Sequence, residues 1–378
     1  MTQRYFAITT PGFEKQVADE IDAVGGRKIK KLTGGVEFDA THRVFYRANY
    51  EVRTANRIYL RVDEFRARDF PELYRKTRRY GWERLIRDDN KVYIKGVARK
   101  SHLVHTDRIE ETVRHGLREH YTEEMEVPAP EIVEHQTDDA QYLLARIDDD
   151  RCQLSLDASG DHLYKRGWRE HSVEAPIRES LAAALLIRAG WNPRKPLLDP
   201  VCGSGTFLIE AAWMAARRAP GRMRDFAFHR WANFRQPLWD SVVENAAKRE
   251  RSLEHVQFYG RDANPEVVDA ARHNADLAEV RLACDIDRGD VAELVPPVDE
   301  PGMIIANPPY GARLAEGDGE QAVWQTLIER FAEYFDGWRM ALVLPSDITP
   351  THERLKFKEE ARFKNGGIPV RVWLARHR

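Results

Sequence analysis

The stretch from Pro196 to Ala216 constrains the fold more than any other in these 378 residues. Pro196-Leu197-Leu198-Asp199-Pro200-Val201 reads as a short apolar strand, Cys202-Gly203-Ser204-Gly205-Thr206 as a tight turn, and Phe207 to Ala216 as a helix apolar on every face. A strand and a helix without polar faces must both be buried, which requires a parallel sheet covered by helices. The pattern recurs: Val256 to Arg261, Val280 to Ile286 and Met303 to Ala306 are short strand-like runs, each ending at a polar or Gly-bearing edge. A doubly wound α/β sheet follows, and such sheets bind ligands outside the carboxyl ends of their strands.

Three ligand classes share the strand, Gly-rich turn and helix layout. A phosphate-binding loop needs Lys after the glycines, whereas Gly205 is followed by Thr206 and Phe207. A dinucleotide fold needs a longer glycine spacing than Gly203 and Gly205 supply. S-adenosylmethionine, which has no phosphate, is the class that remains. It calls for backbone access at the turn and for carboxylates near its ammonium, ribose hydroxyls and adenine amine. Asp199, Asp262 and Asp290 occur in that order, each at a strand end, and Asp199, Pro200, Cys202, Gly203, Gly205, Thr206, Asp262, Asp290 and Asn307 are the candidate cofactor-binding residues. The competing reading of the aspartates is that each merely caps the helix after it. Asn307-Pro308-Pro309-Tyr310 halts the apolar run Met303 to Ala306, as an exit loop beside such a site would; a plain tight turn is the alternative.

The first half of the chain has another character. Residues 1–118 carry 26 Lys and Arg against 17 Asp and Glu, whereas residues 119–160 carry 2 against 12, an asymmetry that the formal net charge of −2 conceals. Arg4 to Thr9, Lys28 to Lys31 and Gly34 to Phe38 read as strands, with helices over Pro11 to Val24 and Thr41 to Asn49, a small α+β module. Strands and helices alternate again to Ile147. In this segment Arg75, Lys76, Arg78, Arg79, Lys91, Lys95, Arg99 and Lys100 are interleaved with Tyr80, Trp82 and Tyr93. Cations among aromatics suit RNA contact, and a solvated helix face is the plain alternative. A connector, Tyr164-Lys165-Arg166-Gly167-Trp168-Arg169, separates the halves and reads as a hinge able to touch phosphates through Lys165, Arg166 and Arg169. Between Arg217 and Trp239, six arginines alternate with Phe226, Phe228, Trp231, Phe234 and Trp239, a segment that either lines an RNA groove or packs over the sheet. Three widely spaced cysteines fit neither a disulfide framework nor a zinc site, so no metal is expected. No apolar run reaches the ~20 residues of a membrane helix and the N-terminus has no leader pattern, so a cytoplasmic protein without a membrane partner is expected.

Leu197 to Ala212, Gly260-Arg261-Asp262, Asn307 to Gly311, Lys165 to Arg169 with Ala175-Pro176, the insert after Arg217 and Phe363-Lys364-Asn365-Gly366-Gly367 together resemble the THUMP-domain class of RNA guanine-N2 methyltransferases. The likeness spans essentially the whole chain and is greatest to the bacterial 23S rRNA enzymes. It implies a ferredoxin-like module over 1–60, a THUMP RNA-binding domain over 61–157, a linker over 158–172, and a Rossmann-like methyltransferase domain with a mostly parallel seven-stranded sheet over 173–378. It further implies that a guanosine of 23S rRNA, or of a large-subunit precursor, is flipped into a clamp. There the Asn307 side-chain oxygen and the Pro308 carbonyl accept from the base amine and Tyr310 stacks on the ring. Two departures are visible. Some relatives continue into a second methyltransferase whereas this sequence stops at Arg378, so one activity is expected, and Asn264 stands where many relatives have an acid. Methylation of tRNA, methylation of adenine N6, and a non-catalytic RNA-binding assembly factor are the alternatives to be tested.

Overall fold

Two sheets carry the protein in a computed structural model that describes residues 2–170, 177–253, 257–309 and 319–378. The first sheet has eight strands. Its elements run β1 (Gln3–Ile8), α1 (Glu14–Ala23), β2 (Arg27–Leu32), β3 (Gly35–Ala40), α2 (His42–Glu51), β4 (Arg57–Arg66), α3 (Phe70–Arg78), β5 (Lys91–Arg99), α4 (Thr106–Glu119), β6 (Glu131–Val133), β7 (Ala140–Asp148) and β8 (Arg151–Asp157). The strand order is β2-β3-β1-β4-β8-β7-β5-β6. β4 pairs with β1 through Arg57 to Leu60 and with β8 through Tyr59 to Arg66, so one long strand serves both halves of the sheet. The expected boundary at 60/61 therefore falls inside β4, and one apolar core runs beneath both modules. β8 was not foreseen. Asp149 and Asp150 both take positive φ, 52° and 59°, turning β7 tightly into β8, and two adjacent aspartates without Gly give little sequence signal for such a hairpin.

The second sheet follows α5 (Glu179–Arg188) and is built from β9 (Leu197–Asp199), α6 (Thr206–Ala215), α7 (Gln236–Ala247), β10 (Phe258–Asp262), α8 (Pro265–Leu277), β11 (Cys284–Arg288), β12 (Met303–Ala306), α9 (Gly319–Tyr334), β13 (Arg339–Pro345), β14 (Leu355–Asn365) and β15 (Ile368–His377). Its seven strands lie in the order β11-β10-β9-β12-β13-β15-β14 and share one direction except β15, which pairs antiparallel with both β13 and β14. Gly366 and Gly367 close that last hairpin with φ of 57° and 88°, values that a two-residue turn of this hand demands and glycine supplies without strain. As expected for a doubly wound sheet, β9, β10 and β12 are buried along most of their length and α6 on nearly all sides, while β11, at the sheet edge, buries only Cys284 and Ile286.

The connector is not a loose hinge. Ala158, Ser159, Leu163, Arg166 and Trp168 are all buried, and the Leu163 amide donates to the Asn56 carbonyl. The Arg166 guanidinium, 1% exposed, meets Glu210 of α6 at 3.0 Å and donates to the carbonyls of Leu163 and Arg53, both at 2.7 Å. Nor do the aromatics of the insert pack over the methyltransferase sheet. Phe228 stacks on Tyr46 (4.9 Å between centroids) and Trp231 on Phe45 (5.4 Å), so its aromatics complete the core of the first module. Four of its arginines are occupied as well: Arg218 and Arg222 face Glu250 and Glu279, Arg224 donates to five carbonyls, and Arg230 donates to the Asp138 carbonyl, whereas Arg217 and Arg235 are exposed. In the reverse direction, Phe13 of the first module joins the methyltransferase core against Phe363. Among the described residues, no helix is long and apolar enough to cross a membrane.

Candidate cofactor cleft and RNA-facing surface

The carboxyl ends of β9, β10, β11 and β12 open on one cleft of about 780 Å³. The chain reverses its direction of winding between β9 and β12, the place where open α/β sheets leave a crevice. Asp199, Pro200, Cys202, Gly203, Thr206, Asp262, Asp290 and Asn307, each singled out in the sequence, line it together. Gly205 lies just behind: it caps α6 at φ 82°, and a side chain there would meet the Ala271 methyl at 3.3 Å. Its absence lets the loop turn and lie close on α8.

The three aspartates differ in state. Asp199 is 2% exposed and accepts from the Val201 amide at 3.2 Å; burial, reinforced by the charge of Asp262, pushes its carboxyl well above the usual range. A buried carboxyl in that condition gains from a cationic partner, which the ammonium of S-adenosylmethionine offers. Asp262 accepts from the Gly203 amide at 3.0 Å and the Asn264 amide at 3.1 Å, thereby bracing the Gly-rich loop. Asp290 accepts from the Ala292 amide at 2.8 Å, so it does cap a short turn while facing the cleft. Asn264, which stands where many relatives have an acid, caps α8 through the Glu266 amide and also lines the cleft.

Asn307 follows β12, and its Oδ1 atom is buried without a hydrogen-bond partner among the described residues. A buried carbonyl oxygen left unpaired costs about 1–3 kcal/mol, so the site is complete when a donor from outside fills it. Pro308 is buried beside it and Pro309 lines the cleft; Tyr310, the stacking residue of the expected clamp, lies outside the described residues, as does Ala175-Pro176. Among the cleft-lining residues that sequence reasoning missed are Ser204, the apolar Val267 and Val291, and Thr326, whose positions carry no motif.

The expected RNA-binding residues are divided. Arg79, Arg99 and Lys100 are exposed and have no side-chain partner among the described residues. Arg78 instead pairs with Glu119, Glu123 and Glu124, Lys91 with Asp139 at 2.8 Å, and Lys95 with Glu110 at 3.0 Å. Much of the acidic segment 119–160 thus neutralises the basic surface next to it, which charge counting by segment could not reveal. Lys165 is exposed and paired with Asp161 at 3.0 Å. Arg166 is enclosed by Glu210, and Arg169 is turned inward onto Glu179, Ser204 and Thr206, so both leave the set of expected phosphate contacts. A second cavity, about 880 Å³, lies where the connector, the insert and the loop before β7 meet; it shares Ile177 with the cofactor cleft and carries exposed Arg178 and Lys165.

Known proteins match along the whole length. Residues 4–59 match the RlmL ferredoxin-like domain, 67–157 the THUMP domain and 166–368 the RMKL-like methyltransferase domain. A Synechocystis protein provisionally named an RNA methyltransferase is 32% identical over 97% of this chain and 95% of its own length. The ribosomal RNA large subunit methyltransferases K/L of Syntrophotalea carbinolica and Vibrio campbellii are 32% and 31% identical over 98% and 97% of this chain. The chain spans about half of each of those two, 53% and 52%. Among solved structures, SMU.472, a provisionally named methyltransferase crystallised with S-adenosylhomocysteine, superposes with a TM-score of 0.87 at 26% identity, covering 100% of this chain and 98% of its own. A protein of Listeria monocytogenes described as a predicted N6-adenine-specific DNA methylase gives 0.86 at 25% identity, covering 98% and 96%.

Proposed function

The chain belongs to the THUMP-containing RMKL-like methyltransferase family, with S-adenosylmethionine as its cofactor, and from that premise we propose that it methylates the exocyclic N2 amine of a guanosine in 23S rRNA or a large-subunit precursor. The names of the K/L relatives support the RNA class, and the free cations Arg79, Arg99 and Lys100 support contact with a phosphate backbone. The observation that carries the reaction is the orphaned Asn307 Oδ1 at the end of β12, in the same cleft as Asp199, Asp262 and Asp290.

An aromatic amine donates its lone pair into the ring and is a poor nucleophile at neutral pH. Asn307 Oδ1 and the Pro308 carbonyl accept its two N–H bonds, which localises the lone pair and aims it into the cleft. Two successive prolines fix φ, so the Pro308 carbonyl is held in place. Tyr310 stacks on the base. S-adenosylmethionine supplies the methyl group as a sulfonium substituent open to in-line displacement. Asp199 holds the cofactor's ammonium, Asp262 its ribose hydroxyls and Asp290 its adenine amine. A base taken from a helix costs a few kcal/mol in lost stacking, offset by phosphate contacts along the first sheet.

Incubation with a labelled methyl donor and separated rRNA or tRNA, followed by nucleoside analysis, tests this function. N2-methylguanosine in large-subunit rRNA is expected, and label confined to tRNA refutes the substrate. Methyladenosine would establish adenine N6 as the target, a reading that the description of the Listeria protein favours. The Asn307→Ala variant is expected to lose about 10²–10³ in kcat while binding RNA as the wild type does. Full cellular function in that variant would instead indicate a non-catalytic assembly factor.

A further inference from the structure

The second cavity, about 880 Å³, lies against the cofactor cleft with the buried Ile177 as a wall common to both. Its volume is within the range of sites that take a nucleotide-sized ligand. Neither half of the chain builds it alone: the loop before β7 comes from the first sheet, Tyr164 from the connector, Arg224 and Arg230 from the insert, and Arg178 from the residue that precedes α5.

Three guanidiniums of this lining have no carboxylate partner among the described residues. Arg178 is exposed and makes no hydrogen bond or ion pair among them; it lies over the Tyr164 ring at 5.0 Å, and that ring stacks on His162 at 4.9 Å. Arg230 gives Nη2 to the Asp138 carbonyl at 2.8 Å, while its buried Nε has no acceptor. Arg224 donates only to carbonyls. A buried charged donor without an acceptor is costly and calls for an anionic ligand. Of the acids in the lining, Asp157, Asp161 and Glu179 are held by Arg57, Lys165 and Arg169, which leaves the exposed Asp138 and Asp225. Guanidiniums open to a phosphate beside carboxylates able to accept from a base amine suit a nucleotide better than a bare anion or an apolar ligand. An unpaired arginine braced on an aromatic ring also offers a flat surface on which an unstacked RNA base can lie.

We infer that this cavity receives the nucleotide beside the methylated one, Arg230 meeting its phosphate and Arg178 stacking on its base. The substrate is then an unpaired stretch of RNA whose adjacent bases part around Ile177, one entering each cavity. This rests on the RNA-methylation reading of the cofactor cleft.

Methylation of RNA fragments around the mapped target nucleotide, by the full chain with a labelled methyl donor, tests the seat. An abasic nucleotide on at least one side of the target is expected to lower kcat/KM about 10-fold or more, within the range for losing one stacked base. Arg178→Ala should lower kcat/KM on the intact fragment by a similar factor, and the abasic fragment should then cost less than about 3-fold further, because the two changes remove one contact. Arg230→Gln should weaken all fragments alike and reduce the slope of log K against log salt by about 0.7. The Kd for S-adenosylhomocysteine should stay within about 3-fold of the wild type in both variants, which also shows that the cleft is folded. Full additivity of the abasic change with Arg178→Ala, or indifference to an abasic nucleotide on either side, overturns the seat. So does an Arg178→Ala variant whose affinity for S-adenosylhomocysteine falls as far as its affinity for RNA. A wild-type protein that methylates no RNA overturns the function on which the seat rests.

Discussion

Replacing Arg166 by Met separates two roles that its place in a basic connector allows, a phosphate contact and an internal anchor. In the structure Arg166 is 1% exposed and Glu210 is fully enclosed, their charged groups lying 3.0 Å apart. Removing one partner of a buried ion pair costs about 3–5 kcal/mol, because the charge left behind has neither water nor a counterion. Arg53 Nη1 remains 3.9 Å from Glu210 and offsets part of that loss. The carbonyls of Leu163 and Arg53 lose their donors, which adds to it. A net loss of about 3–4 kcal/mol is expected, and at roughly 2–4 °C per kcal/mol for a unit of ~200 residues the methyltransferase transition should fall by about 6–16 °C. Arg166→Met, Glu210→Met removes the orphaned charge and should regain at least half of that. Scanning calorimetry reads the transitions, and RNA binding titrated against salt reads the alternative. A phosphate contact contributes a slope of about 0.7–0.9 to log K against log salt. A variant that melts within about 2 °C of the wild type but has lost such a slope would refute the anchor.

Gly205→Ala forces an L side chain into φ 82° at 3.3 Å from Ala271, and should cost about 1–2 kcal/mol in urea unfolding and weaken S-adenosylhomocysteine, with Asn tolerated better than Ala at the same position. Trp231→Ala should remove about 3–5 kcal/mol from the transition of the first module, because the ring stacks on Phe45 in that core; unchanged melting with weakened RNA binding would return the insert to the RNA groove. Burial, and next the Arg57 charge, lower the His162 imidazole to about 4, so the folded state favours the neutral ring. The stability it contributes is complete above the ordinary pKa near 6.5 and is lost as pH falls towards 4. His162→Gln should therefore flatten the dependence of Tm on pH across that window, and an unaltered slope would exclude the group.

The methyltransferase sheet and the residues at its edge were legible because they are local. An apolar run that ends in Asp199, Asp262 or Asn307 announces a buried strand and its exit loop, and parallel strands of one sheet deliver such ends to the same side. The resemblance added the expectation of a target base and a clamp, which spacing alone could not. Segments whose meaning depends on a distant partner were read otherwise. Arg166 and Arg169 look in sequence like exposed cations, and only packing reveals Glu210, Glu179 and the two loop hydroxyls around them. Arg78, Lys91 and Lys95 add to a basic count that neighbouring acids largely cancel once the sheet is formed.

By itself, then, the sequence determined which strands end at the cleft and which side chains stand there, since strand period, turn and helix are properties of contiguous residues. Tertiary structure alone decided which cations remain free, where the aromatic insert is buried, that β4 joins two modules in one sheet, and that the connector reaches into the cofactor loop. Charge and apolar surface are counted along the chain, but their partners are assigned across it. Arg57 meets Asp157, and Trp231 meets Phe45, only when segments far apart in sequence close against each other.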